Sequence, residues 1–199
     1  MTVATPEAPP APVPPRQPRK IFLVIGLVVA VALGIGLFTS AGTNAKTGPP
    51  HRGGRVPSFT AARLNASGTL QIPADGGSDG TVLLFFGSWC SSCHAELPPL
   101  AAAVRRQVEQ GGALARVRVI GVDSEDSKSV GETFVAHSGV GFPVVRDPNL
   151  AITSGDFYFD GDPDAVFVEP DGTISAIVPG ALSPAKLTAE EKKLIPSGS

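Results

Sequence analysis

A short apolar segment that leads into a pair of cysteines constrains this chain more than any other part of its sequence. The segment, Thr81–Phe86, reads TVLLFF, and after three intervening residues come Cys90 and, three positions further on, Cys93. An uninterrupted apolar run bounded by turn residues is typical of a central strand that is covered on both faces. Residues 95–110 favour a helix, which a Gly pair ends. The sequence therefore places both cysteines at a helix N-terminus that follows a buried strand.

The order of the other predicted elements indicates the fold class. Two β-prone stretches around a turn cluster predict a hairpin within residues 59–72, and the sequence EPDG predicts a second tight turn near the C-terminus. Ser183 followed by Pro184 is a good start for a last helix. The resulting order of elements predicts an α/β domain with a mixed central sheet and helices on both faces. Its further segments are strands at 116–122, 142–145, 165–168 and 173–178 and a helix at 127–137.

Residues 21–38 form a second apolar segment, 18 residues long and without a charge. As a helix it spans about 27 Å, close to the thickness of a bilayer core. A buried core helix would normally show a polar face, and a cleavable signal peptide has a shorter apolar region. We therefore expect an uncleaved transmembrane anchor. Since Arg16, Arg19 and Lys20 lie before it, the N-terminus should be cytoplasmic and the following domain extracytoplasmic.

The anchor divides the chain into four parts. Residues 1–20 are rich in proline and predict a disordered cytoplasmic tail. Residues 39–55, a mixture of Gly, Ser, Thr and Pro, predict a flexible linker between the anchor and a folded domain at 56–195. The net charge of −2 and the pI of 5.9 give no basic excess that would hold a polyanion. Nucleic acid is therefore not an expected partner.

The two cysteines allow several interpretations. A purely structural disulfide between residues three apart would close a very small ring and restrain the unfolded chain little. A zinc site would need further ligands, for which the chain offers only His51, His94 and His137. The string Cys90-Ser-Ser-Cys93-His94 also matches the attachment motif of c-type haem. Since the only methionine is Met1, a haem would lack its usual second axial ligand, although histidine could replace it.

Thiol-disulfide exchange explains the position of the pair better. A cysteine at a helix N-terminus has its thiolate stabilised by unpaired N–H groups and by the helix dipole, which lowers its pKa. Cys90 is therefore the expected nucleophile. Cys93, one turn into the helix and more buried, is expected to resolve a mixed disulfide by attacking Cys90. The redox-active disulfide itself would need no further cofactor and no metal.

These residues resemble the membrane-anchored, extracytoplasmic thioredoxins of the TlpA/ResA-like family, also called DsbE-like. The resemblance covers most of residues 56–182, including the stretches VLLFFGSWCSSCHAELPPL and GDPDAVFVEPDGTI. Its most specific part is the pattern Trp-Cys-x-x-Cys-x-x-Glu-x-Pro, formed by Trp89, Cys90, Cys93, Glu96 and Pro98. The resemblance implies a thioredoxin fold with an N-terminal β-hairpin and a central insertion.

The resemblance also implies roles for residues beside the cysteines. Pro163 corresponds to a cis-proline that faces the disulfide and pairs with the substrate backbone, so Trp89, Asp162 and Pro163 are the expected substrate-binding residues. This chain departs from the family pattern in two places. The dipeptide between the cysteines is Ser-Ser and contains no proline, and Asp162 occupies a position where an apolar residue or Thr is usual. Both departures bear on the reduction potential.

Three functions follow as expectations. The resemblance implies a bacterial reductant of disulfides in exported proteins, typically of apocytochrome c, that receives electrons from a membrane thiol donor. The crowding of Asp156, Asp160, Asp162 and Asp164 also favours a reductase, since negative charge near Cys90 would raise its thiol pKa. An oxidase that introduces disulfides would use the same residues. A c-type haem electron-transfer protein is the third alternative.

Glu96 is the third expected catalytic residue. It lies three residues after Cys93, so on a helix it projects toward the same side, one turn deeper. A carboxyl group in an apolar wall has a raised pKa, and a neighbouring thiolate raises it further. Glu96 would then hold a proton for the Cys93 thiolate and take it back when Cys93 attacks. The alternative is an ordinary surface glutamate.

The predicted topology has a direct test. Protease added outside spheroplasts should degrade the domain that follows Val56, because Arg16, Arg19 and Lys20 hold the N-terminus inside. The measurement is an immunoblot against the domain, with a cytoplasmic protein as the control for intact membranes. A domain that stays protected until the membrane is lysed would contradict the prediction.

Overall fold

A computed structural model describes residues 48–73 and 79–195 of the protein. Its strands and helices, in chain order, are β1 (Phe59–Ala62), β2 (Thr69–Ile72), β3 (Thr81–Phe86), α1 (Ser91–Gln110), β4 (Arg118–Ser124), α2 (Lys128–His137), β5 (Val144–Asp147), β6 (Asp164–Val168), β7 (Ile174–Pro179) and α3 (Pro184–Leu194). A 3₁₀ turn, Leu114–Arg116, precedes β4, and a π-helical turn, Ala151–Asp156, follows β5.

The strand β3 lies at the centre of a five-stranded mixed sheet of order β5-β4-β3-β6-β7. It pairs with β4 in parallel and with β6 in antiparallel orientation. Five of its six residues are buried, as the apolar run predicts. The carboxyl ends of β3 and β4 and the start of β6 therefore meet at one edge of the sheet.

The two faces of the sheet are covered differently. One face carries residues of all three α-helices, among them Leu100 of α1, Phe134 of α2 and Leu187 of α3. The other face carries the β1–β2 hairpin and the π-helical turn, with Phe59, Ile72 and Ile152 in its core. Alternate strand residues supply the two cores, as a sheet covered on both sides requires. The expected α/β fold with a mixed sheet is present, but no α-helix among the described residues packs on the second face.

The reason for this difference lies in the segment after β5. The Asp147 carboxylate accepts the backbone N–H groups of Ile152 and Thr153 at 2.7–3.2 Å. Leu150 is in the left-handed region with a φ of 56°. Both features hold this segment as one wide turn of six residues in place of a longer helix.

The expected N-terminal hairpin is present and is fastened to the sheet. β1 and β2 pair in antiparallel orientation. Asn65, in the connection between them, donates to the Phe142 carbonyl at 2.8 Å and accepts from the Val144 N–H at 3.1 Å. The hairpin thereby contacts the edge strand β5 through a side chain as well as through its apolar residues.

The start of the domain lies slightly before the predicted boundary. Within the predicted linker 39–55, Gly53 donates to the Ile174 carbonyl at 2.8 Å and Arg55 forms an isolated bridge to Thr173. The ordered pairing with β7 thus begins before Val56. The predicted tail 1–20 and anchor 21–38 lie outside the described residues, and no helix among those described is long and apolar enough to cross a membrane.

Candidate active site

The cysteine pair lies where β3 ends and α1 begins, as the sequence predicts. Cys90 is the N-cap of α1, and its Sγ accepts a hydrogen bond from the Cys93 N–H at 3.1 Å. The two cysteines form a disulfide with a Cα–Cα distance of 5.2 Å. The helix N-terminus directs an N–H group at the Cys90 sulfur, which is the arrangement that stabilises a thiolate.

Both cysteines are shielded from solvent, but to different extents. Cys90 is 4% exposed and Cys93 is 1% exposed. Cys93 lines a small cavity together with Glu96, Leu97, Pro163 and Asp164. Both cysteines are thus buried in the disulfide form, and the assignment of Cys90 as the nucleophile stays a prediction based on its position at the N-cap of α1.

Glu96 lies in the wall of this cavity and not on the open surface of α1. Its Oε2 is buried and has no hydrogen-bond partner among the described residues. Burial raises the pKa of Glu96, a backbone hydrogen bond from Leu182 opposes that shift, and the charge of Asp164 adds to it. A carboxyl group in this position keeps its proton to a higher pH than usual, so it can exchange a proton with a nearby thiolate.

The loop before β6 covers the disulfide from the other side. The Asp162–Pro163 peptide bond is cis, as the resemblance implies. The Asp162 carbonyl oxygen lies 3.3 Å from Cys90 Sγ. Burial raises the pKa of Asp162 to about 6, a hydrogen bond from Ser124 opposes this, and the charges of Asp164 and Asp147 reinforce it.

Asp164, the first residue of β6, adds a second carboxylate directly after this loop. Its Oδ1 accepts the Gly180 N–H at 3.3 Å. Burial raises the pKa of Asp164 to about 6, and the bond from Gly180 opposes the shift. Near neutral pH, Asp162 and Asp164 are therefore both mostly charged, and Asp164 lies in the wall of the cavity that Cys93 lines.

Trp89 lies directly before the nucleophile and is half exposed, at 50%. Its Nε1 donates to the Ser124 carbonyl at 3.0 Å, and its ring lies so close to Gly87 that a Cβ there would overlap it. The indole is thus held across the end of β4 while one side stays available to a partner. Its role in substrate binding stays a prediction.

Sequence reasoning missed a set of residues that fixes the loop before Cys90. The Ser88 N–H and hydroxyl donate to the two carboxylate oxygens of Asp126, at 2.8 and 2.6 Å. The Ser88 carbonyl lies 2.7 Å from His94 Nε2, and the His94 ring lies 4.6 Å from that of Phe134. His94 is therefore tied to the active-site loop although its side chain is exposed.

A signal for Asp126 exists in the sequence. It closes the run Asp123-Ser-Glu-Asp126 at the end of a predicted strand, and the carboxyl ends of parallel strands meet at the same edge of a sheet. Parallel pairing of the strands before Cys90 and before Asp126 would have brought the two loops together. The contact with Ser88 itself depends on the register, which the sequence does not supply.

Comparison with known proteins identifies the group to which this fold and site belong. A model of the AhpC/TSA family matches residues 53–177, which is more than half of the chain. The chain belongs to the AhpC/TSA family. Within this family, the chain is a TlpA/ResA/DsbE-like thioredoxin and a thiol-disulfide oxidoreductase. The evidence is its CxxC pair together with its similarity to the relatives that follow.

Two relatives share the name thiol-disulfide oxidoreductase ResA. The protein of Bacillus subtilis (strain 168) is 23% identical over 168 residues, which cover 84% of this chain and 89% of that protein. The protein of Bacillus thuringiensis (strain Al Hakam) is 25% identical over 182 residues, which cover 91% of this chain and 99% of that protein.

Solved structures of thiol-disulfide proteins share the fold. A secreted disulfide oxidoreductase of Mycobacterium tuberculosis, homologous to E. coli DsbE, is 22% identical with a TM-score of 0.55 and covers 68% of this chain and 95% of that chain. A thioredoxin family thiol:disulfide interchange protein from Chlorobium tepidum TLS is 18% identical with a TM-score of 0.59. The match covers 72% of this chain and 97% of that chain.

The geometry does not favour covalent haem in this family member. Haem attachment uses both sulfurs and the following histidine. Here Cys90 and Cys93 are bonded to each other within the core, and His94 Nε2 contacts the Ser88 carbonyl. Within 48–73 and 79–195, no group of three or more His, Cys, Asp or Glu side chains could hold a metal ion.

The assignment of the two cysteines predicts which variant traps a partner. Cys93→Ala should accumulate mixed disulfides through Cys90, because the resolving thiol is gone while the N-cap nucleophile remains. Non-reducing gels of each full-length variant measure the yield, and Cys90→Ala is the matched control. Equal trapping through Cys93 in the control would reverse the assignment.

Glu96→Gln tests the proton store beside Cys93. The variant should keep the fold and shift the cysteine titrations by about one pH unit, because Gln cannot bind the proton that burial keeps on Glu96. The measurement is the rate of thiol-disulfide exchange between about pH 6 and about pH 9. Glu109→Gln, an exposed change on the same helix, is the control, and identical profiles for all three proteins would remove Glu96 from the mechanism.

Proposed function

We propose that this protein is a membrane-tethered, extracytoplasmic reductase of disulfides in exported proteins. The carboxyl groups around Cys90 and Cys93 carry the argument. Asp164 and Glu96 line the cavity beside Cys93, and Asp162 places its backbone carbonyl 3.3 Å from Cys90 Sγ. Negative charge at these positions makes a thiolate less stable and so makes the pair a better electron donor.

In the reducing cycle, the dithiol form acts first. The Cys90 thiolate attacks a disulfide sulfur of the exported protein, and the partner's other sulfur leaves as a thiolate. The Cys93 thiol gives up its proton, with Glu96 as the nearby acceptor, and the Cys93 thiolate attacks Cys90. The bond between Cys90 and the partner breaks, the partner's second sulfur leaves as a thiolate, and the Cys90–Cys93 disulfide re-forms. The partner's two thiolates become thiols by taking up the proton that Cys93 gave up and one proton from solvent.

The surroundings of Cys90 suit an extended protein segment as the substrate. The Asp162–Pro163 backbone lies on one side of Cys90, and the half-exposed Trp89 precedes it in the chain. A groove between α1 and α2, lined by Ser88, His94 and Phe134 among others, begins beside the same loop. Backbone pairing at the cis-proline and apolar contacts with Trp89 would hold a partner chain across Cys90.

The substrate and donor follow from the family resemblance and the N-terminal sequence. We propose apocytochrome c as the exported substrate and a membrane thiol protein as the source of electrons, with the Cys90–Cys93 disulfide as the only redox group. Residues 21–38 would hold the protein in the bilayer with its N-terminus in the cytoplasm. The domain would then work on the extracytoplasmic side.

The reduction potential of the full chain tests the direction. We expect a value below about −220 mV, whereas an oxidase that introduces disulfides should lie near about −120 mV. The measurement equilibrates the protein with glutathione or dithiothreitol buffers and follows the emission of Trp89, the only tryptophan. A Soret band in the purified protein would instead favour the haem alternative.

Variants connect the potential to the carboxyl groups. Asp164→Asn removes a charge beside the cysteines and should raise the potential by about 30 mV for each unit by which the thiol pKa falls. Glu109→Gln removes the same charge from an exposed position at the far end of α1 and should leave the potential unchanged. Equal potentials in all three proteins would contradict an electrostatic origin of the reducing character.

A further inference from the structure

Each polar group of Ser88 has a partner within hydrogen-bond distance. Its N–H and hydroxyl both donate to Asp126, and its carbonyl lies within hydrogen-bond distance of His94 Nε2. Ser88 lies two residues before Cys90, in the loop between β3 and α1. The position of the loop before the nucleophile therefore depends on Asp126, and hydrogen bonds of this kind are strongest when the acceptor is a carboxylate.

A second carboxyl group lies directly behind Asp126. Asp123, at the end of β4, is 1% exposed. Its carboxyl packs against Gly131 of α2 so closely that a Cβ there would overlap it. Neither of its oxygens has a donor partner among the described residues, and the Asp126 carboxyl is the neighbouring group with which it could share a proton.

Two carboxyl groups can share a hydrogen bond only when one of them keeps a proton. Both oxygens of Asp126 already accept hydrogen bonds from Ser88. The proton therefore belongs to Asp123, whose hydroxyl donates to Asp126. This arrangement satisfies Asp123 and leaves Asp126 charged toward Ser88.

We propose that Asp123 is a positioning residue, which keeps a proton between itself and Asp126 and so holds Ser88 and the loop before Cys90 in place. The proposal rests on Cys90 as the redox nucleophile and does not depend on the direction of electron transfer. Loss of the proton would set two carboxylates against each other beneath the loop. The Ser88 contacts would then weaken and the environment of Cys90 would change.

The charges that face Asp123 come from several elements. Arg146 is its cross-strand neighbour on β5 and favours the ionised form, whereas Asp126 and Asp162 oppose it. From α2, Gly131 makes the contact, and the Lys128–Glu132 ion pair of that helix is exposed. Burial raises the pKa of Asp123 to about 8, and the hydrogen bond with Asp126 and its charge add to the shift. The proton is present below this pH and is lost above it.

Trp89 supplies a readout that needs no substrate. Its Nε1 donates to the carbonyl of Ser124, the residue after Asp123, and its ring lies over Gly87, the residue before Ser88. In the disulfide form neither cysteine titrates. The emission of the full-length, oxidised protein should therefore show a transition near the pH of about 8 at which Asp123 loses its proton.

Three variants test this assignment. Asp123→Asn should abolish the transition near pH 8, because the amide donates to Asp126 at every pH. Asp126→Asn should move the transition down by about one pH unit or more, since it removes the charge that opposes ionisation of Asp123. Glu109→Gln should leave the transition in place. A wild-type protein without the transition, or an Asp123→Asn protein that keeps it, would overturn the proposal.

A second measurement connects the Asp123 proton to reduction of the disulfide, and a third measurement needs no variant protein. The rate of reduction by dithiothreitol, taken as the ratio of wild type to Asp123→Asn, should be constant below about pH 8 and fall above it. A ratio that stays constant throughout would overturn the positioning role.

If circular dichroism shows that the variants fail to fold, carbon-13 NMR of the wild-type aspartate carboxyl groups decides. One aspartate should titrate with a pKa about four pH units above the ordinary value of the side chain. A spectrum without such an aspartate would overturn the proposal.

Discussion

The pairing of β3 with a parallel strand on one side and an antiparallel strand on the other determines where the chemistry lies. Because β4 runs parallel to β3, its carboxyl end brings Asp126 to the loop that precedes Cys90. Because β6 runs antiparallel, its first residues bring the Asp162–Pro163 bond to the same sulfur. The apolar contacts that bury β3 on both faces thus assemble three loops around one disulfide.

Much of this arrangement could be predicted from local sequence. The run Thr81–Phe86 identifies the central strand, and Ser183 with Pro184 identifies the start of α3, whose N-cap hydroxyl accepts the Lys186 N–H at 3.2 Å. The start of α1 at Ser91 was harder to place, because its N-cap is a cysteine and not one of the usual capping residues. The π-helical turn depends on the Asp147 carboxylate, which accepts a hydrogen bond from the N–H group of Ile152, five residues later. This contact follows from the conformation of a loop, which the periodicity of the sequence does not indicate.

The site was only partly predictable for a similar reason. Cys90, Cys93 and Glu96 follow one another at intervals of three residues, so their spacing alone indicates that each lies close to the next. Asp126 and His94 reach Ser88 through strand register and side-chain orientation, which no motif records. Their contacts show that an active site of this kind extends beyond its motif into the loops of neighbouring strands.

The entry of the chain into the domain has a mechanical consequence. Gly53 and Val56 pair with the turn between β6 and β7, at the end of β6 that lies opposite Asp164. The Cα atoms at the two ends of this five-residue strand lie about 13 Å apart. A force applied to the N-terminal segment therefore acts on backbone hydrogen bonds at the end of the sheet that is remote from Cys90. Such a force would load the hydrogen bonds of Gly53 and Val56 and none of the contacts that hold Ser88, Cys90 or Asp162.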